Sequence, residues 1–132
     1  MTETRNLKSE TLNKSEIQNQ KQYNLSKSTF EFTVRVIAYL NGLPKSISSI
    51  EISKQLTRSA GSVGANYLEA EEFLSKKDFI MHIKISKKEA RESIYWLQLS
   101  SSQSDAIAER EYLVDEATQL MKIFGSIIQK CL

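Results

Sequence analysis

Cysteine is almost missing from this chain. Cys131 stands alone, so no internal disulfide forms and no cysteine-based metal site assembles. Histidine is represented by His82 only. No carboxylate or sulfur spacing around it supplies a metal set, which leaves it as a polar residue beside a packing seam. One proline and four glycines are too few for a turn-rich sheet protein and favour helices. No apolar run approaches the roughly 18 residues of a membrane span. Met1 to Lys21 also lacks the apolar block of a signal peptide. A net charge of +2 gives the whole chain no strong electrostatic bias. The expectation is a cytoplasmic protein with no membrane association, no metal and no cofactor.

What is present is helical periodicity. At 132 residues the chain is expected to be one domain, large enough to bury a core unaided. Residues 1–27 read as a flexible, polar N-terminal arm rich in Asn, Gln, Ser, Thr and Lys. Residues 28–132 read as a bundle with helices at about 28–42, 47–74, 76–100 and 106–131. The first helix takes its cap from Ser26 or Ser28, and Phe30, Val34 and Ile37 form its expected core stripe. Phe32, Val36, Tyr39 and Leu40 then lie on other faces. Gly42 suits a left-handed helix end, and Pro44 stops continuation.

The second helix starts among Ser46, Ser48 and Ser49 and repeats Ile52, Leu56, Ala60, Val63, Tyr67, Ala70 and Leu74 at spacings of three and four. Gly61 and Gly64 each cost about 1 kcal/mol in a helix interior. With Ala60 and Ala65 they make a smooth patch for a close neighbour. Ser75 and Asp78 form a capping-box-like start for the third helix. Its core stripe is Phe79, Ile83, Ser86, Ala90, Ser93/Ile94 and Leu97. Met81, Ile85, Trp96 and Leu99 gather on the opposite side. Ser100 to Asp105 is a polar linker. The fourth helix repeats Leu113, Ala117, Leu120, Phe124, Ile127 and Cys131, with acids in its first half. The architecture expected is all-α, an antiparallel up-down-up-down four-helix bundle. Helices apolar on two faces imply self-association, with Phe32, Val36, Met81, Ile85, Trp96 and Leu99 at the oligomer interface.

Few residues carry recognisable chemistry. Glu69, Glu71, Glu72, Glu89 and Glu92 lack the paired Glu-x-x-His motifs of a di-metal bundle. No G-x-S-x-G nucleophile motif occurs. Gly61-Ser-Val-Gly64 matches a GxxG nucleic-acid loop only formally, because the helical pattern runs through it. Lys84, Lys87, Lys88 and Arg91, with Lys76 and Lys77, instead concentrate positive charge along the third helix, where several phosphates can be met in register. Tyr95 lies beside them. Arg58 suits either an ion pair between subunits or a phosphate contact.

The run Gln55-Leu-Thr-Arg-Ser-Ala-Gly-Ser-Val-Gly-Ala-Asn-Tyr-Leu-Glu-Ala70, then Ser75-Lys-Lys-Asp-Phe-Ile80, Lys87-Lys-Glu-Ala-Arg-Glu92 and Tyr95-Trp-Leu97, resembles the bacterial four helix bundle proteins. These are also called 23S rRNA intervening-sequence or S23 proteins. The resemblance covers about Phe30 to Leu132, with the arm outside it. It implies a four-helix bundle, commonly a homopentamer, and kinship with the accessory variability determinant of diversity-generating retroelements, a basic pentamer that binds nucleic acid. It implies no catalytic activity. Arg58, Asn66, Glu69, Lys84, Lys88, Glu89 and Trp96 match the family pattern.

The function expected is a non-enzymatic oligomer that binds structured RNA, ribosomal RNA included, or another nucleic acid through Lys84, Lys87, Lys88 and Arg91, with Arg58 nearby. The alternative is a protein-interaction scaffold without nucleic-acid affinity.

Overall fold

The computed structural model describes residues 24–100 and 105–132. Its helices are α1 (Leu25–Asn41), α2 (Ile47–Glu71), α3 (Lys76–Leu99) and α4 (Ile107–Cys131). No strand occurs among the described residues. Each helix packs on its neighbour in sequence, α3 most extensively on α2 and α4, and α1 meets α4 to close the circle. Short connections reverse the chain each time, so the architecture is the antiparallel up-down-up-down bundle. α1 begins at Leu25, inside the stretch expected to be arm; residues 1–23, the rest of that arm, lie outside the described residues. So do residues 101–104 of the expected polar linker.

Serines set the register of two helix starts. Ser46 Oγ accepts from the Ser49 N–H at 3.1 Å, and Ser49 Oγ accepts from the Ser46 N–H at 2.8 Å, a reciprocal capping box. Ser75 Oγ accepts from the Asp78 N–H at 3.0 Å, while the Asp78 carboxylate accepts from Leu74 N–H. That second bond draws the chain out of α2, which ends at Glu71 rather than Leu74. Leu74, expected in the core, is 94% exposed, and Phe73 turns its ring onto Phe79 at 5.7 Å.

α2, α3 and α4 bury the stripes their spacing predicts, from Leu56 through Ala70, Ile83 through Leu97 and Leu113 through Phe124. The α2–α3 seam is narrow because Ser59, Ala60, Ser86, Ala90 and Ser93 line the buried faces of the two helices. Its hydroxyls are paired: Ser59 and Ser93 hydrogen-bond across the seam at 2.9 Å, and Ser86 donates to the Val63 carbonyl at 2.9 Å. A buried hydroxyl without a partner costs about 1–3 kcal/mol, so these bonds are what make a serine-lined seam tolerable.

α1 is rotated relative to expectation. Phe32 and Val36 are 3% and 0% exposed, whereas Phe30 and Val34 are 69% and 51% exposed. The buried set Leu25, Thr29, Phe32, Val36, Tyr39, Leu40 and Leu43 keeps three- and four-residue spacing from before the helix's second turn to beyond its end. Phe30, Val34 and Ile37 make a shorter stripe that gives way to Lys27 and Asn41. The longer stripe buries more apolar surface, at roughly 25 cal/mol per Å², and it wins the core. Phe32 and Val36 are therefore core residues and not part of an oligomer interface. Gly42 also departs from expectation, with φ −88°. Bonds of the i to i+3 type, Gly42 to Tyr39 and Leu43 to Leu40, tighten the last turn and tuck Leu43 into the core, so no left-handed residue is needed.

At Gly64 α1 passes close over α2. A methyl group there would lie 3.1 Å from Thr29 Oγ1 and 3.3 Å from Thr29 Cβ. Thr29 is itself buried and donates to the Leu25 carbonyl at 2.7 Å. Gly61, one turn earlier, faces open space. It forms part of a groove of about 700 Å³ with Phe30, Val34, Ile37, Ala65 and Leu68.

Candidate functional site

The charged residues of α3 separate into two flanks. Its acids face α2. Arg58 on α2 reaches across to Glu89 at 3.1 Å and to Glu92 at 2.5 Å. Glu92 also accepts from the Trp96 indole N–H at 2.9 Å. That indole bond, then Arg58 and a smaller field from Lys88, hold the Glu92 carboxyl below its ordinary value against the opposing effect of burial. The same two carboxylates raise the Arg58 guanidinium further above its already high value. Asp78, the remaining acid of α3, caps the helix and stands 3.5 Å from His82 Nε2.

The cations occupy the other side. Lys84, Lys88 and Arg91 are exposed along the outer line of α3, and Lys87 leans toward α4, where its Nζ passes near Gly125. Lys76, Lys77, Lys84 and Lys88 rim a cleft of about 680 Å³ whose floor is Ile80, Met81 and Ile85. Tyr95 continues the line and is 56% exposed. Its ring meets that of Trp96 edge-on, with centroids 5.0 Å apart. Trp96 is half-buried against the core, so the network of Arg58, Glu92 and Trp96 fixes the support on which Tyr95 rests.

The expected binding set is therefore only partly brought together. Lys84, Lys88 and Arg91 share an accessible face; Lys87 sits at its α4 edge. Arg58 does not belong with them, because Glu89 and Glu92 occupy its guanidinium within the same chain. The expected interface residues divide as well: Met81 and Leu99 are exposed, whereas Ile85 and Trp96 are half-buried. Glu92 as the shared acceptor and the Ile80 floor were missed from sequence. Glu89, Glu92 and Trp96 are spaced three and four apart on one helical face, which was the available signal.

The other candidates take structural roles. His82 Nδ1 lies 3.1 Å from Asn66 Oδ1, and Asn66 in turn donates to the Ser62 carbonyl and hydroxyl. Cys131 is a half-buried free thiol in the last turn of α4. Among the described residues no three His, Cys, Asp or Glu side chains gather into a metal-holding cluster. No helix among them is long and apolar enough to cross a membrane.

Comparison with known proteins places this geometry in context. No curated protein matches the chain. The chain is similar to a crystal structure, at 1.70 Å resolution, of a protein of unknown function from the S23 ribosomal protein family of Bacteroides thetaiotaomicron. The two are 33% identical with a TM-score of 0.72, over 83% of this chain and 98% of the other. The pattern of the family described as 23S rRNA-intervening sequence protein matches residues 8–126, so it takes in much of the N-terminal stretch expected to lie outside the resemblance. With four helices in the expected order and a match over most of its length, the chain belongs to the 23S rRNA-intervening sequence protein family.

Proposed function

We propose that this protein is a non-catalytic, self-associating cytoplasmic bundle that binds structured RNA through the outer face of α3. One observation carries the reading. Arg58 engages Glu89 and Glu92 on the α2 flank, and among the described residues Lys84, Lys88 and Arg91 make no ion pair, Lys88 acting on Glu92 only as a weak field. Phosphates supply the missing negative charge, and contacts of this kind give affinity with little sequence preference. The family's printed name, which refers to 23S rRNA, is in keeping with an RNA ligand. Self-association is supported by the exposed apolar groove of Phe30, Val34, Ile37 and Leu68. The family resemblance makes a homopentamer the expected assembly, and a ring would repeat the basic face around its axis.

Fluorescence anisotropy with a folded ribosomal RNA fragment tests this reading. With about four phosphate contacts per subunit, raising salt from 50 to 200 mM should weaken binding on the order of 50- to 150-fold. The variant Lys84→Glu/Lys88→Glu/Arg91→Glu should keep its far-ultraviolet circular dichroism and lose the RNA. Equal affinity in variant and wild type would sink the proposal. The same apolar groove also favours a second reading, a protein-docking scaffold, in which the oligomer forms but no salt-dependent RNA affinity is found.

A further inference from the structure

The basic face of α3 is not only basic. Lys84, Lys88, Arg91 and Tyr95 stand at i, i+4, i+7 and i+11, so one line about 16 Å long carries three cations and ends on an exposed aromatic ring. At its other end the lysine-rimmed cleft has the apolar floor of Ile80, Met81 and Ile85. A double helix offers phosphates and hydroxyls to such a surface, but its base faces are stacked away inside. It would satisfy the cations and leave both the Tyr95 ring and the apolar floor against water. Unpaired nucleotides offer phosphates and base faces together.

We infer that the outer face of α3 selects unpaired RNA over duplex, with Tyr95 as a stacking platform for one base and the Ile80, Met81 and Ile85 cleft as an apolar seat for another. The phosphates between them lie along Lys84, Lys88 and Arg91. This inference rests on the RNA-binding reading above. Tyr95 suits the role because its ring is both exposed and braced. Trp96 meets it edge-on at 5.0 Å, and Trp96 is fixed by its hydrogen bond to Glu92, which Arg58 holds in turn. A braced ring loses little freedom when a base settles on it. Base stacking is tolerant of sequence, so selection here is for strandedness.

The test uses the full chain with a labelled RNA of about 12 nucleotides, single-stranded or annealed to its complement. Wild-type protein should bind the single strand more tightly. Tyr95→Ala should weaken single-strand binding by about 5- to 150-fold, the loss of one stacked base, and leave duplex affinity unchanged. Tyr95→Phe should retain the wild-type preference, and unaltered circular dichroism for both variants excludes a folding defect. Wild-type affinity of Tyr95→Ala for the single strand overturns the inference, as does equal or tighter binding of the duplex by wild-type protein. If that happens while the triple charge reversal still abolishes binding, RNA binding by α3 stands and only strand selection falls. If no RNA is bound at all, both fall together.

Discussion

The α2–α3 seam and the α1 edge of the bundle are built on opposite terms. At the seam, small residues bring two long helices close, and buried hydroxyls are matched across the gap: Ser59 with Ser93, Ser86 with the Val63 carbonyl. At the edge, a helix of 17 residues carries apolar side chains on two faces and buries one of them. Beyond its buried stripe, α1 is tied down by separate polar contacts with other helices. Thr33 donates to the Ala60 carbonyl at 2.9 Å, and Tyr39 hydrogen-bonds to Ser100 at 2.6 Å. Arg35 makes a bidentate pair with Glu109 and lies 3.7 Å from the centre of the Tyr112 ring. The difference teaches that the seam spends both helix faces on close packing, whereas α1 both closes the core and presents an exposed apolar surface.

The largest effect should separate the two regions outright. Leu56→Ala removes a fully buried side chain and should cost about 2–5 kcal/mol in urea unfolding. Phe30→Ala, on the outer face of α1, should cost less than about 1 kcal/mol in dilute protein. A Phe30→Ala loss that grows with protein concentration would mean that this face is covered in the assembly.

A smaller effect sets two glycines of α2 against each other. Gly61→Ala adds a methyl group in open space and should stabilise by about 0.5–1 kcal/mol through helix propensity. Gly64→Ala makes the same gain but drives its methyl group against the bonded Thr29, so it should come out less stable than Gly61→Ala by about 1–3 kcal/mol. Thermal melts of the pair decide the matter; equal shifts would mean that α1 yields freely.

The last effect is in pH and shows only in strong alkali. Burial, with Glu71 adding to it, pushes the Tyr67 hydroxyl up to about 12. The unfolded group titrates near 10, so the folded state favours the protonated form. Its contribution is whole below pH 10 and is lost as pH rises from about 10 to 12. Tyr67→Phe should flatten this alkaline decline in stability, measured by urea unfolding across that range. A decline of unchanged steepness would place its cause elsewhere.

Much of this was legible in the sequence because in α2, α3 and α4 one stripe runs unbroken at three- and four-residue spacing, and it took the core even in α3, which has Met81, Ile85, Trp96 and Leu99 elsewhere. α1 has two, Phe30–Val34–Ile37 and Phe32–Val36–Tyr39, and helical period alone cannot rank them. Extending each to the ends of the helix would have done so, since only the second continues through Thr29 into Leu25 and on into Leu43. The lysines of the site were readable as a line on one helix. The engagement of Glu89 and Glu92 was not, because it depends on Arg58 reaching from another helix, and no spacing within α3 records that partner.

That one arginine has an effect at long range. By engaging Glu89 and Glu92 from α2, it keeps the acids of α3 on one flank while most of the cations of that helix stay on the other. A net charge of +2 attracts a polyanion weakly from any side. On the RNA-binding reading proposed above, such a separation of charge would turn α3 toward the polyanion before contact.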